Sequence, residues 1–235
     1  MTNIQLFAIH RGAQLSDTDM QTALQTLPLE DQQRIMRYRR WEDRQSGLLA
    51  AKLARKMLSD HLGVAASELQ IGRSDLGRPY VQGLTQWQGD FNVSHSGDWI
   101  FGGITTQGVL GVDVEGLREI EMDVSKHCYC PEERDELYSL HGTEQNAFFY
   151  VLWTLKEAYI KAIGTGLSTP LTSFGFDIPS LKAGRVLLKD ESGTPQPHWH
   201  FQRYDVDDAY RFAICSDQPN LPSSITLLTR DEVLN

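Results

Sequence analysis

The sequence predicts an α+β fold, and three observations support this prediction. Residues 48–62 and 146–164 carry apolar side chains at helical spacing, and no proline interrupts either run. Runs rich in β-branched and aromatic residues predict strands, and the chain becomes β-rich after Phe174. A helix-rich part followed by strands occurs before residue 107 and again after it, so we expect two comparable parts.

The first part is predicted to begin with a strand and to continue with helices. Its predicted helices are 17–27, 29–38 and 48–62, and its predicted strands are 4–9, 91–93 and 99–105. Asp17 is a candidate N-cap, Pro28 separates the first two helices, and Gly63 ends the third. The pair Gln107-Gly108 predicts a hairpin turn into the next strand.

The second part is predicted to combine one long helix with several strands. Its predicted helices are 131–140 and 146–164, and its predicted strands are 109–115, 174–178, 186–188, 199–204, 210–216 and 225–229. Pro131 suits the first turn of its helix, and Gly164 supplies a stop signal for the longer one. The boundary between the two parts is expected between residues 107 and 108.

Composition and charge exclude several classes of protein. The 235 residues carry a formal net charge of −9, which argues against a general nucleic-acid binder. No apolar run approaches the ~20 residues that a membrane-spanning helix needs, and the first residues do not resemble a secretory signal. Three cysteines make no disulfide framework, and Cys128 and Cys130 lack the second ligand pair of a zinc site. We therefore expect a cytoplasmic protein that binds neither nucleic acid nor membranes.

Three carboxylates are predicted to meet in a site for a hard cation. Asp113 and Glu115 are two apart on a strand and share a face with Gly111, which is expected to leave that face open. Glu157 and Lys161 are four apart and therefore neighbours on a helix. If this helix crosses the strand, the three carboxylates supply the oxygen ligands that Mg²⁺ prefers. Each pattern alone is more typical of solvated charges, so only the combination favours a site.

A cluster of arginines precedes residue 48 and is conspicuous in an acidic chain. Its members are Arg34, Arg37, Arg39, Arg40 and Arg44. Arginine binds phosphate in a bidentate way, so one interpretation is a site for a ligand with several phosphates. The alternative is a solvated helix end whose arginines cover apolar surface.

Four motifs in matching order and spacing resemble one enzyme family. They are Gly77-Arg78-Pro79, Asn92-Val93-Ser94-His95-Ser96, Gly111-Val112-Asp113-Val114-Glu115, and the run from Trp153 to Lys161. From about residue 34 to about residue 173, the chain is similar to the 4′-phosphopantetheinyl transferases of the broad-specificity Sfp type. The resemblance implies two similar α+β halves in a pseudo-twofold arrangement, with the active site in the crevice between them. The half 1–107 would contain basic residues and a Ser-His loop, and the half 108–235 the carboxylates and the Lys-Glu helix.

The resemblance also implies an activity and a set of site residues. Enzymes of this family move 4′-phosphopantetheine from coenzyme A to a serine of an acyl or peptidyl carrier protein and release 3′,5′-ADP. We therefore expect holo-[acyl-carrier-protein] synthase activity in a monomer that uses Mg²⁺, or Mn²⁺ in its place. Asp113, Glu115 and Glu157 are implied as metal ligands, and Glu157 and Lys161 as catalytic residues. The residues expected to bind coenzyme A are Arg37, Arg40, Arg44, Arg78, Ser94, His95 and Lys156, with His95 at the 3′-phosphate.

Several points stay open at the level of the sequence. The family usually carries an arginine three residues after an aspartate in its first long helix, but Ser46 follows Asp43 at that distance. Arg44 or another arginine of the cluster would have to substitute. A metal-dependent phosphodiesterase and a non-catalytic carrier-binding module are the alternative functions. Leu117, Ile120 and Met122 are candidates either for a carrier-docking patch or for the core of a short helix.

Overall fold

The computed structural model describes residues 3–83 and 86–234, which form two large sheets, each covered by a long helix. The helices are α1 (Asp17–Gln25), α2 (Leu29–Met36), α3 (Trp41–Leu62), α4 (Ser125–Cys128), α5 (Pro131–Ser139), α6 (Gly142–Ala162), α7 (Ile178–Lys182) and α8 (Asp231–Leu234). The strands are β1 (Ile4–His10), β2 (Ile71–Arg73), β3 (Pro79–Val81), β4 (Asp90–Ser96), β5 (Trp99–Thr105), β6 (Leu110–Gly116), β7 (Phe174–Phe176), β8 (Leu188–Asp190), β9 (His200–Tyr204), β10 (Tyr210–Ser216) and β11 (Thr226–Leu228). Within these residues, no helix combines the length and the apolar character needed to cross a membrane.

The two large sheets differ in strand order but repeat one architecture. The first sheet has the order β11-β1-β5-β4, and the second has the order β6-β10-β9. Helix α3 packs on the first sheet and helix α6 on the second. The other faces of both sheets contribute to a shared core that includes Leu6, Phe101, Val112 and Phe212, none more than 2% exposed. The α+β prediction with two similar halves is therefore confirmed.

Helix α3 begins at Trp41, well before the predicted start at residue 48. Its first buried residues include the polar Gln45 and Ser46, so the spacing of apolar residues alone does not reveal the part of the helix before residue 48. The Gln45 amide donates to the carbonyls of Arg11 and Ala13 at 2.9 and 3.0 Å. These bonds fasten the loop after β1 to the first turns of α3.

The predicted hairpin turn at Gln107-Gly108 is wrong. Strand β5 already has β1 on one edge and β4 on the other, so it has no free edge for β6. Strand β6 instead pairs antiparallel with β10, and the turn carries the chain from one sheet to the other.

The C-terminal segment returns to the first sheet. Strand β11 pairs parallel with β1, with Phe7 opposite Thr226 and Ile9 opposite Leu228. Val233 in α8 is 4% exposed and packs into the core beneath α3. The predicted C-terminal half, 108–235, is therefore wrong for the segment from β11 onward, because its pairing partner lies far away in sequence.

Strands β4 and β6 lie side by side, and side chains replace part of the backbone ladder between them. The Asp90 carboxylate accepts the Leu110 amide at 2.8 Å, and the Asn92 side chain accepts the Val112 amide at 3.0 Å. The Ser96 hydroxyl accepts the amide of Gly116 at 3.2 Å. We call this junction between the two sheets the seam.

Candidate active site

Helix α6 crosses strand β6 at Gly111. A Cβ atom at Gly111 would lie closer than 3.0 Å to the Ala158 carbonyl oxygen and to the Ala162 backbone nitrogen. The helix backbone thus fills the space that we expected glycine to leave open, and that prediction is wrong. The close approach is what carries Glu157 and Lys161 to the strand that holds Asp113.

Replacing Gly111 with alanine should displace α6 and lower both melting temperature and activity. Its methyl group meets backbone atoms, which cannot rotate away as a side chain can. Overpacking of this kind typically costs about 1–3 kcal/mol. Thermal melting of the variant checks the expectation. Gly47→Ala is the control for stability, because its nearest contact is with the Tyr38 ring, at 3.2 Å. Equal melting temperatures of the two variants would contradict the crossing as described.

Four charged side chains form the acidic cluster: Asp113, Glu115, Glu157 and Lys161. Lys161 forms a salt bridge with Asp113 Oδ1 and donates to the Ser94 hydroxyl at 2.9 Å. The same hydroxyl donates to Asp113 Oδ1, also at 2.9 Å. Asp113 is only 2% exposed, so its interactions are formed largely away from solvent.

The electrostatics of the acidic cluster favour an additional positive charge. Burial raises the pKa of Asp113 to about 7; Lys161 opposes this rise, and Glu115 and Glu157 add to it. Burial also raises the pKa of Glu157, again against Lys161 and with the help of Glu115. Three carboxylates therefore share one ammonium group, and the cluster has an excess of negative charge when all of them are ionised.

The acidic cluster has some features of a cation site, although its carboxylates do not surround a common point. Asp113 Oδ2 is buried and has no hydrogen-bond partner, which is costly unless a hydrogen-bond donor or a cation binds there. Across residues 3–83 and 86–234, no three Asp, Glu, His or Cys side chains form a ready metal-binding group. Glu115 is held by Ser96 at 2.8 Å and by the Trp153 indole at 3.1 Å. The oxygen donors suit Mg²⁺, and the assignment of Asp113, Glu115 and Glu157 as its ligands stays a prediction.

Ser94 and His95 lie within strand β4, so the predicted Ser-His loop is wrong. The turn comes later, at Gly97, whose φ of +54° favours glycine. Successive strand residues point to opposite faces. Ser94 consequently reaches the acidic cluster, whereas His95 lines a cavity on the other side of the strand.

This second site, which we call the arginine cavity, has a volume of about 210 Å³. Its ionisable lining residues are Asp31, Arg34, Arg73 and His95, and its apolar walls include Phe91 and Val93. Partial desolvation and the positive charges of Lys161 and Arg34 lower the pKa of His95. A ring N–H of this imidazole can be donated to an anion in the cavity.

The arginines that were predicted to bind coenzyme A do not line this cavity. Arg37 is exposed, and Arg40 is 70% exposed at its side chain while pairing with Glu42 at 3.3 Å. Arg44 donates to the Tyr38 carbonyl at 2.8 Å. Their contact with a ligand stays a prediction, and the structure supplies Arg34 and Arg73 in the cavity instead.

Lys156 was predicted to bind coenzyme A, and this prediction is wrong. Its side chain has no exposed surface, and its ammonium pairs with the equally buried Glu133 at 2.9 Å. It also donates to the carbonyls of Leu171 and Phe174 at 2.7 and 2.6 Å. Lys156 thus joins α6 to α5 and to the segment before β7, and it cannot reach a ligand in solvent.

Arg78 lies at the seam. It forms a salt bridge with Asp90 and donates to the carbonyls of Leu110 and Ala162 at 3.2 and 3.3 Å. These contacts connect the β2–β3 hairpin to β4, β6 and the end of α6. Its contact with the nucleotide stays a prediction, while its contacts within the protein give it a positioning role.

Some side chains at the site were not predicted from the sequence, and a signal existed for one of them. Ser96 binds Glu115 as Ser94 binds Asp113, and both pairs are separated by 19 residues. Side chains two residues apart on a strand point to the same face, so Ser94 and Ser96 on β4 can face Asp113 and Glu115 on β6 when the two strands run in the same direction. The Ser-His-Ser spacing in the sequence was therefore a signal for Ser96. Trp153 was named only as the first residue of the motif that ends at Lys161, and Arg73 carried no signal in the sequence.

The candidate docking residues Leu117, Ile120 and Met122 are all partly buried. They pack against the core of the second half, beneath α6. They therefore combine some accessible surface with a packing role, and carrier docking on them stays a prediction.

Comparison with protein families matches both halves of the chain. A model described as the 4′-phosphopantetheinyl transferase superfamily matches residues 109–215. A model described as the N-terminal domain of 4′-phosphopantetheinyl transferase matches residues 14–105. The two matches follow one another along the chain and together include the acidic cluster, Ser94 and His95.

Individual proteins are similar over most of their length. The 4′-phosphopantetheinyl transferase ffp of Bacillus subtilis is 29% identical over 232 residues, which are 98% of this chain and 100% of that protein. The 4′-phosphopantetheinyl transferase gsp of Aneurinibacillus migulanus is 30% identical, covering 88% of this chain and 83% of that one. A crystal structure of Thermotoga maritima holo-[acyl-carrier-protein] synthase has a TM-score of 0.36 and 20% identity, with 46% of this chain and 61% of that chain covered.

Proposed function

Because the chain belongs to the 4′-phosphopantetheinyl transferase superfamily, we propose that it transfers 4′-phosphopantetheine from coenzyme A to a serine of an acyl or peptidyl carrier protein. The finer proposal is holo-[acyl-carrier-protein] synthase activity of a cytoplasmic monomer. The observation that carries it is the placement of Ser94 and His95 on opposite faces of β4. Consecutive residues of β4 thus reach an acidic cluster on one face of the strand and a basic cavity on the other. A ligand that carries both a pyrophosphate and a separate terminal phosphate needs two such neighbouring sites.

In this proposal the acidic cluster performs the transfer. The serine oxygen of the carrier forms a bond to the phosphorus attached to pantetheine, and the bond from that phosphorus to the leaving 3′,5′-ADP breaks. Glu157 takes the serine proton, directly or through water, and burial raises the pKa of its carboxylate, which makes it a stronger base. Two donor positions of the Lys161 ammonium face Asp113 and Ser94, which leaves a third for a phosphate oxygen.

Asp113, Glu115 and Glu157 are the proposed holders of Mg²⁺, with Mn²⁺ as a substitute. When bound, such an ion would neutralise negative charge on the pyrophosphate and its leaving oxygen. The buried and unpartnered Asp113 Oδ2 supports this choice. Ser96 and Trp153 hold the two oxygens of Glu115 and orient it.

Incubation of an apo carrier protein with coenzyme A, Mg²⁺ and the enzyme tests the proposed function. Mass spectrometry should show the carrier gaining one phosphopantetheine group, together with the release of 3′,5′-ADP. Separate reactions with a peptidyl and an acyl carrier reveal the range of partners. A complex with the carrier but no gain of mass would indicate a binding module, and cleavage of coenzyme A without a carrier would indicate a phosphodiesterase.

Replacing Glu115 with glutamine should shift the Mg²⁺ activation curve to higher concentration. Replacing a residue that only hydrogen-bonds to a metal ligand typically weakens metal binding 10–100-fold. Replacing a ligand itself should therefore lower the affinity for Mg²⁺ by at least about 100-fold. Glu119→Gln is the matched control, because this exposed residue is close in sequence but outside the acidic cluster. Activation at the wild-type Mg²⁺ concentration would remove Glu115 from the ligand set.

A further inference from the structure

The arginine cavity is too small for a whole nucleotide cofactor. Its volume is about 210 Å³, whereas complete small-molecule sites usually occupy ~300–1,000 Å³. It therefore suits one end of a larger ligand. Two guanidinium groups and an imidazole on its walls are typical donors for a phosphate.

The charges around the cavity leave one guanidinium without a counter-ion. Asp31 pairs with Arg34 at 2.9 Å and with Arg55 at 3.1 Å, so a single carboxylate serves two arginines. Within the described part of the chain, Arg73 forms no salt bridge, and its guanidinium donates to the Gly77 carbonyl at 3.0 Å. Partial burial and the charge of Arg34 lower the pKa of Arg73, which indicates two like charges near each other. An anion between them would relieve this repulsion.

Arg73 comes from a segment other than the arginine cluster of the sequence. It ends strand β2, whose only partner among the described strands is β3, and it remains accessible to solvent. The hairpin is fixed at its other strand, because the neighbouring Arg78 binds Asp90 and the carbonyl of Leu110. The seam therefore holds the β2–β3 hairpin against the cavity and gives Arg73 a defined position on its wall.

We propose that Arg73 is a specificity-determining residue, which binds the 3′-phosphate of the coenzyme A adenosine together with Arg34 and His95. The inference rests on the proposed function, since that function supplies the ligand. Arg78 acts as the positioning residue for the hairpin. Recognition of the 3′-phosphate thus depends on a short hairpin outside the two large sheets.

Binding of 3′,5′-ADP and of 5′-AMP to the full chain tests the inference without relying on catalysis. Calorimetry should show wild type binding 3′,5′-ADP more tightly than 5′-AMP. Arg73→Ala should weaken 3′,5′-ADP binding about 10–100-fold, as expected for a lost charge-assisted hydrogen bond, and should leave 5′-AMP binding unchanged. Arg73→Lys should recover part of the preference. Arg39→Ala is the control, because Arg39 is exposed and does not line the cavity.

Two outcomes would overturn the inference. One is an Arg73→Ala variant that keeps the full preference for 3′,5′-ADP, and the other is equal weakening of both nucleotides. Failure of the proposed function would look different, because wild type would then modify no carrier whatever its nucleotide preference. Melting curves without ligand show whether Arg73→Ala retains the fold. If it does not, the inference is tested by Arg73→Lys, which should retain part of the preference for 3′,5′-ADP over 5′-AMP.

Discussion

Glu157→Gln should reduce phosphopantetheine transfer by about 10²–10⁴-fold, the usual contribution of a general base. Glutamine keeps the size of the side chain but cannot accept a proton at neutral pH. The fold should survive, because Glu157 makes no salt bridge that holds other elements together in the described residues. Initial rates of carrier modification at saturating coenzyme A and Mg²⁺ provide the measurement.

The same helix offers a matched control for this variant. Glu144 lies in the first turn of α6 and is exposed, so Glu144→Gln should change the rate little. A Glu157→Gln enzyme within tenfold of wild type, by contrast, would mean that another group takes the serine proton. A loss of rate that high Mg²⁺ restores would assign Glu157 to the metal rather than to proton transfer.

Lys156→Met should lower the free energy of unfolding by about 3–5 kcal/mol, the usual cost of breaking a buried ion pair at one partner. Methionine preserves most of the volume but leaves the Glu133 carboxylate buried without its partner. For a chain of this length, the melting temperature should fall by roughly 6–20 °C. Lys182→Met provides the comparison, since its pair with Glu136 is at the surface and should contribute only ~0–1 kcal/mol.

A double variant separates the contribution of the buried charges to stability from the contribution of the hydrogen bonds of Glu133. Lys156→Met with Glu133→Leu removes both charges, which by itself is often neutral. However, Glu133 also accepts the amides of Cys130 and Phe176, at 3.0 and 2.9 Å. Both amides would lose this partner, and the Phe176 amide is buried, so the double variant should stay unstable. Recovery of wild-type melting would show that only the charge balance matters.

Local periodicity explains which site residues could be predicted. Alternation along β6 separates Asp113 from its neighbours Val112 and Val114, which are fully buried in the shared core. Spacing of four along α6 makes Glu157 and Lys161 neighbours in the same way. Both rules need only the sequence near the residue, so the acidic cluster and the core face of the strand could be assigned in advance.

Contacts between distant segments explain what could not be predicted. Lys156 is adjacent to Glu157 in sequence and has the same charge as Lys161. However, neighbouring residues of a helix point about 100° apart around its axis, so Lys156 does not face the same way as Glu157. Its partner Glu133 belongs to another helix, so nothing near Lys156 in sequence indicated a buried pair. Arg73 was missed for a related reason, because its place in the cavity depends on a hairpin fixed by Arg78 at the seam.

The parallel pairing of β11 with β1 has a consequence for synthesis on the ribosome. Strand β1 is translated early, yet its outer edge gains a partner only once the chain has been made through Leu228. Until then the edge offers unpaired amide and carbonyl groups, which other extended chains can bind. The first sheet is therefore completed only when nearly the whole chain has been translated. A nascent chain halted before Thr226 keeps an open strand that a chaperone, or a second nascent chain, can occupy.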